Sequence, residues 1–175
     1  MKALAALLAA ASLLGACATP PPVSVDGGPV TSGRLSLRVE AAAGRPAQGL
    51  TAAFELQGYA ERGELRLLSP LGGTLAAARW APDQALLDTP AGRQVFSSLD
   101  ELSLQSLGEV VPLAALPDWL AGRPWPGAAH QAGNNGFAQL GWRVDLTRFA
   151  QGWVTAERDT PPAVALRIRL DGPGE

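Results

Sequence analysis

A mainly β, antiparallel domain is what this sequence predicts, a curved sheet wrapped around one or two short inserted helices. Two observations carry that expectation: apolar and polar residues alternate with period two through both halves of the chain, and one helical interruption separates the halves. Such alternation sets one face of each strand against a core and the other in water, the habit of antiparallel sheets. Leu35, Leu37 and Val39 alternate with Ser36 and Arg38, Phe54 and Leu56 with Glu55 and Gln57, and Leu65 and Leu67 with Glu64 and Arg66. In the second half, Leu140, Trp142, Val144 and Leu146 alternate with Gly141, Arg143, Asp145 and Thr147. Leu166, Ile168 and Leu170 alternate with Arg167 and Arg169. Gly44-Arg45-Pro46, Glu61-Arg62-Gly63, Ala81-Pro82-Asp83 and Pro90-Ala91-Gly92 fall where hairpin turns are needed.

The interruption begins at Ser98-Leu99-Asp100-Glu101, which fits a capping box with Ser98 as N-cap and Glu101 reaching back to its amide. Leu99, Leu102 and Leu107 supply a helical face, and Gly108 a stop. Pro112 can open a second helix, where its missing N–H costs nothing. Leu113, Leu116 and Leu120 follow at helical spacing, with a kink or restart at Pro117 and an end at Gly122.

The N-terminus carries a different signal. Lys2 precedes an apolar run from residue 3 to residue 14, too short to span a bilayer core of roughly 30 Å but suited to a signal-peptide core. Leu14-Gly15-Ala16-Cys17 then resembles the bacterial lipobox, in which the cysteine is diacylated, the peptide is cut before it, and the new amino group is acylated. The expected organisation is a signal peptide at 1–16, a lipidated N-terminus and flexible tether at 17–32, and one globular domain at 33–175. Ala18, rather than Asp, follows the cysteine, which by the same resemblance directs the protein to the outer membrane. Residues 18–30, rich in Pro and Gly, read as an extended tether of up to about 40 Å at roughly 3.1 Å per residue.

Composition narrows the function. The mature chain of 159 residues suits one domain with a real core. Its 13 basic residues are all Arg, scattered among 16 acidic ones, so no basic stripe points to nucleic acid. With Cys17, the lone cysteine, acylated, no disulfide forms and no thiol remains for metal or catalysis. His130, the only histidine, lies in a loop-like stretch without a nearby acid or nucleophile. Ser97, Ser98 and Ser103 lack a base, no Gly-x-Ser-x-Gly elbow is present, and helix capping explains Asp100-Glu101. No enzyme, metal or cofactor is expected.

The tract from Gly108 to Pro124, with Pro112-Leu113, Leu116, Trp119-Leu120, Gly122 and Pro124, resembles the Pro-Leu…Leu…Trp-Leu-x-Gly-x-Pro segment of the LolB family of outer-membrane lipoprotein receptors. Leu67-Leu68-Ser69-Pro70-Leu71-Gly72-Gly73-Thr74 resembles that family's Asn-Pro-Leu-Gly loop, with Ser69 in place of the Asn. The lipobox and the order strands, helices, strands agree as well. The resemblance implies a LolA/LolB-like, curved antiparallel half-open β-barrel closed by short helices, whose interior holds the acyl chains of a lipoprotein in transit. It also implies a monomer, lipid-anchored at the outer membrane and facing the periplasm. Such a protein accepts acylated lipoprotein cargo from a LolA-like periplasmic carrier and inserts it among the outer-membrane lipids. Cys17 would carry the anchor, and Leu71 would protrude from its loop to act in membrane insertion. On one strand face, Leu35, Leu37, Phe54, Leu56, Leu65, Leu67, Leu75, Trp80, Trp142, Val144 and Ile168 are the expected cavity lining. Alternation alone does not separate an empty cavity from a packed interior. The competing expectation is thus a structural or small-ligand-binding outer-membrane lipoprotein with a filled β core.

Overall fold

The computed structural model describes residues 27–42 and 44–172; Cys17 and the signal peptide lie outside the described residues. The first half is a six-stranded meander: β1 (Val30–Val39), β2 (Gln48–Gly58), β3 (Gly63–Leu68), β4 (Thr74–Ala81), β5 (Gln84–Thr89) and β6 (Gly92–Phe96). Helix α1 (Leu99–Leu107) follows, then a 3-10 turn (Leu113–Ala115) that runs into α2 (Leu116–Leu120). The second half comprises β7 (His130–Gly133), β8 (Gly136–Gln139), β9 (Trp142–Asp145), β10 (Trp153–Arg158) and β11 (Val164–Leu170).

All eleven form a single sheet, ordered β6-β5-β4-β3-β2-β1-β11-β10-β9-β8-β7. The two halves join where β1 pairs antiparallel with β11, Leu35 opposite Ile168 and Leu37 opposite Leu166. Strands β6 and β7 remain unpaired with each other, so the sheet curls without closing, and the helices cover its concave face. This is the half-open barrel expected from the sequence. Alternation explains the curl: Leu35, Leu37 and Val39 point inward while Arg34 and Arg38 point out, and the same holds along β11.

Strand direction gives the barrel two ends. The β1–β2, β3–β4 and β5–β6 connections lie at one, here the mouth; Val30 and the β2–β3 and β4–β5 turns lie at the other, the base. The core is packed around two tryptophans, Trp80 near the base and Trp119 of α2. Trp80, 2% exposed, donates its indole N–H to the carbonyls of Tyr59 (3.1 Å) and Ala60 (3.0 Å), pinning the β2–β3 turn. Its ring lies against Gly63, where a Cβ would sit 2.4 Å from a ring carbon, so only glycine fits there. Trp119 of α2 packs against Phe137 and Trp142 at centroid distances of 6.3 and 6.2 Å. Its N–H donates to the buried Gln139 side chain at 2.9 Å, and the Gln139 amide donates onward to the carbonyls of Trp125 and Ala128. Gln139 thus holds α2 and its trailing loop against β8, satisfying each buried polar group it brings in.

Three local expectations need correction. Glu101 does not reach the amide of Ser98: its carboxylate accepts from the N–H (2.8 Å) and hydroxyl (2.6 Å) of Ser97, one residue earlier, while Ser98 caps the N–H of Glu101 at 3.1 Å. Leu140 is not a strand residue; with φ 54° it turns the chain between β8 and β9 and is 46% exposed. His130 is not in a loop but opens the edge strand β7, its ring 6.5 Å from Phe137. The pairing partner β8, set off by the Asn134-Asn135 turn, makes that stretch a strand, although the segment carries too few apolar residues to alternate.

Candidate functional site

Near the mouth the concave face of the sheet is not filled. Leu35 and Leu37 of β1, Leu50 of β2, Leu65 and Leu67 of β3 and Leu75 of β4 face a cavity of about 480 Å³. Helix α1 roofs it with Leu102, Gln105, Ser106 and Leu107, and Thr89 and Gln94 add a polar rim at the β5–β6 edge. A volume of this size is that of an ordinary small-molecule pocket. Its walls are almost wholly aliphatic and offer no charged side chain, so what fits them is an apolar chain rather than a polar metabolite. A second, mixed concavity of about 370 Å³ lies at the base between the β2–β3 turn and α2, lined by Tyr59, Glu61, Asp118, Arg123 and Trp125 among others.

Of the eleven residues expected at the lining, Leu35, Leu37, Leu65, Leu67 and Leu75 border the mouth cavity. Phe54, Trp80, Trp142 and Val144 do not; they are 1–2% exposed in the packed core. Leu56 faces the base concavity, and Ile168 lines a small crevice against α2. Height along the barrel does not separate them, since Phe54 stands directly opposite Leu67, Leu56 opposite Leu65 and Ile168 opposite Leu35. Period two identifies the inward face of a strand, but whether an inward residue meets a void or packed side chains depends on what covers it: α1 roofs the cavity, while Trp119 of α2 packs against Phe137 and Trp142. Leu50, Leu87, Leu102 and Leu107 border the cavity without having been expected there; their signal was the helix face and a weaker alternation in β2 and β5.

The roof is tied down along its length and at its C-terminal end. Ser103, fully buried, donates its hydroxyl to the carbonyl of Asp100 (3.1 Å) and accepts from the N–H of Val111 (3.2 Å), folding the following segment back on α1. At the C-terminal end Gly108, φ 77°, stops the helix, and Arg45 donates to its carbonyl at 2.6 Å. Glu109 then bridges Arg45 (3.2 Å) and the half-buried Arg158 (2.8 Å), tying the end of α1 to the β1–β2 connection and to β10. Leu104 on the outer face of α1 is 47% exposed.

Leu71 occupies the tip of the β3–β4 hairpin at the mouth end and is 98% exposed. Ser69 builds that tip: its carbonyl accepts from Gly72 (2.9 Å), its N–H donates to the carbonyl of Gly73 (2.8 Å), and its hydroxyl accepts from the N–H of Gly73 (3.1 Å). Gly72, at φ 81°, supplies the left-handed residue. The turn closes on itself and leaves Leu71 with nothing to cover it, which sets it apart from a leucine folded back onto a sheet edge.

On the convex face above β2–β6 the charges are paired across strands. Arg93–Asp88 (2.6 Å), Asp88–Arg79 (2.5 Å) and Arg79–Glu64 (3.1 Å) form a chain, with Arg66–Glu55 beside it. Arg93, and then Arg79, hold the Asp88 carboxyl below the usual carboxylate range against the opposing effect of burial.

The structure is thus an incompletely closed β-barrel with a leucine-walled cavity, a short-helix roof and a leucine-tipped loop at its mouth. The family model described as outer membrane lipoprotein LolB matches residues 30–171, and the chain belongs to that family. It is 32% identical over 163 residues to the outer-membrane lipoprotein LolB of Bordetella pertussis, covering 87% of this chain and 81% of that one. To LolB of Chromobacterium violaceum it is 29% identical over 170 residues, covering 92% and 89%. With LolB of Cupriavidus pinatubonensis the identity is 32% over 134 residues, 73% of this chain. The matched stretch spans only 64% of that relative and 62% of the one from Cupriavidus metallidurans.

Proposed function

We propose that this chain is a lipid-anchored, periplasm-facing receptor of the outer membrane that accepts acylated lipoproteins from a LolA-like carrier and releases them into the bilayer, without catalysis. The observation that carries the reading is the cavity: Leu37, Leu50, Leu67 and Leu75 leave an aliphatic space open at the mouth, roofed by α1. Cys17 bears the anchor and the cavity holds the acyl chains of the cargo. Leu71 at the mouth probes the bilayer. Burying one leucine is worth about 1.5–3 kcal/mol, enough to bias docking and too little to fix the domain there. Transfer needs no energy source if carrier, receptor and membrane form a downhill series.

The test uses the full chain with Cys17→Ala, mixed with a carrier loaded with acylated lipoprotein. Cargo should move to the receptor, and Leu67→Glu should abolish that movement while its melting temperature falls only modestly. A receptor that takes up no acylated cargo, or a loss of uptake matched by an equal loss of stability across several lining positions, would return the fold to a filled-core lipoprotein.

A further inference from the structure

Eight of the 13 arginines have a carboxylate within 4 Å, and Arg62 is also engaged. Among the described residues the other four, Arg34, Arg148, Arg167 and Arg169, have no acidic partner, and they are neighbours. Arg34 on β1 stands directly opposite Arg169 on β11, and Arg167 is two residues further along the same outer face. Like charges set directly across a ladder repel. Arg148, from the turn after β9, lies 5.1 Å over the ring of Trp153, and Arg169 lies 5.5 Å over the same ring. The indole N–H of Trp153 is buried beneath them with no acceptor. The bordering carboxylates are engaged elsewhere: Asp171 accepts from the Ser32 hydroxyl and Asp145 from the N–H of Thr147.

We infer that this convex face, formed by the basal parts of β1, β11 and β10, is a contact surface for anionic phospholipid headgroups. It rests on the proposed reading of Cys17 as the anchor. Guanidinium groups with no internal counter-ion, gathered on an aromatic ring, suit phosphate oxygens at a bilayer interface. Position selects the lipid over an acidic protein. Arg34 is four residues along the strand from Val30, about 13 Å at ~3.3 Å per residue. The chain enters the barrel at Val30, with Cys17 upstream. In an anchored domain this face therefore lies near the end of the barrel at which the tether joins. The cavity mouth and Leu71 lie at the opposite end, so resting on the arginines turns the mouth toward the periplasm and the carrier. Delivery through Leu71 then requires the domain to tip over.

The full chain bearing Cys17→Ala, which has no acyl anchor, is mixed with phosphatidylcholine vesicles with or without phosphatidylglycerol, and sedimented. Binding should need phosphatidylglycerol, fall steeply with added salt, and weaken about thirtyfold in R34S/R169S, the loss expected for two basic residues at an anionic surface. R34K/R169K should retain most of it, and so should R93S, which removes an arginine already paired with Asp88. R148S/R167S provides an independent pair should the first fail to fold. Equal binding to both vesicle types, or indifference to both arginine pairs, overturns the inference. So does loss of carrier binding in these variants with vesicle binding intact, which would assign the face to an acidic protein. Uptake of acylated cargo is measured on the same samples, so failure of the arginine face is distinguished from failure of the cavity reading.

Discussion

At the residue scale, two leucines a few positions apart meet different surroundings. Leu67 faces the cavity and Leu71 faces solvent. Leu71→Glu should leave uptake from the carrier nearly intact and sharply reduce delivery to outer-membrane vesicles; a variant that delivers normally, or loses both together, removes Leu71 from the account. Pro70, Gly72 and Gly73 spell a tight turn with Leu71 at its tip, but the expectation that Leu71 protrudes comes from the resemblance of this loop to that of the family, since the turn alone also suits a leucine folded back on the sheet edge. The cavity lining was legible only in part, since Leu67 and Phe54 stand directly opposite each other on one face, yet only Leu67 borders the void; the difference is set by the helices and side chains packed over each strand, which alternation does not report. Asp88 supports a separate prediction. Its carboxyl is lowered in the folded state, so its contribution is complete above the unfolded value of about 4 and is lost as pH falls through the lower folded value. Asp88→Asn should therefore lower the melting temperature at neutral pH and leave it nearly unchanged in strong acid. A constant difference across that range would show that Asp88 does not act through its charge.

At the scale of the element, α1 covers the cavity. Ser98→Ala removes the N-cap and should destabilise by about 1 kcal/mol, readable in thermal melts. Glu109→Gln loosens both arginine contacts at the other end of the helix and should raise hydrogen exchange in α1 while sparing β1 and β11; uniform protection would mean that the roof is held by packing alone. The helix was plain in the sequence from Ser98 and Gly108, because capping residues act locally. Its tertiary restraints were not, because Arg45, Glu109 and Arg158 are far apart along the chain and meet only in the fold. The edge strand β7 was hidden for the related reason that a four-residue exposed strand such as His130–Gly133 gains its conformation from pairing with β8, not from burial.

For the whole molecule, the magnitudes set the design. Burying a sixteen-carbon acyl chain is worth about 12 kcal/mol at ~0.8 kcal/mol per CH₂, and three such chains about 36, well past the ceiling of about 18–21 for non-covalent affinity. A receptor that enclosed all three completely would never let them go. A cavity of about 480 Å³ encloses less than that, and on the proposed reading the bilayer remains the better sink. Trp80 near the base and Trp119 under α2 pack much of the interior, while the space beneath α1 stays incompletely packed. The central claim, that the mouth cavity holds the acyl chains of the cargo, is tested most directly by a photo-crosslinking residue placed at Gln105 in the cavity roof and, as a control, at Arg143 on the convex face. Loading with acylated lipoprotein should give a crosslink from position 105 and none from 143, and the same lipoprotein lacking its acyl chains should give neither. Crosslinks that ignore acylation, or that form equally at both positions, would contradict the account.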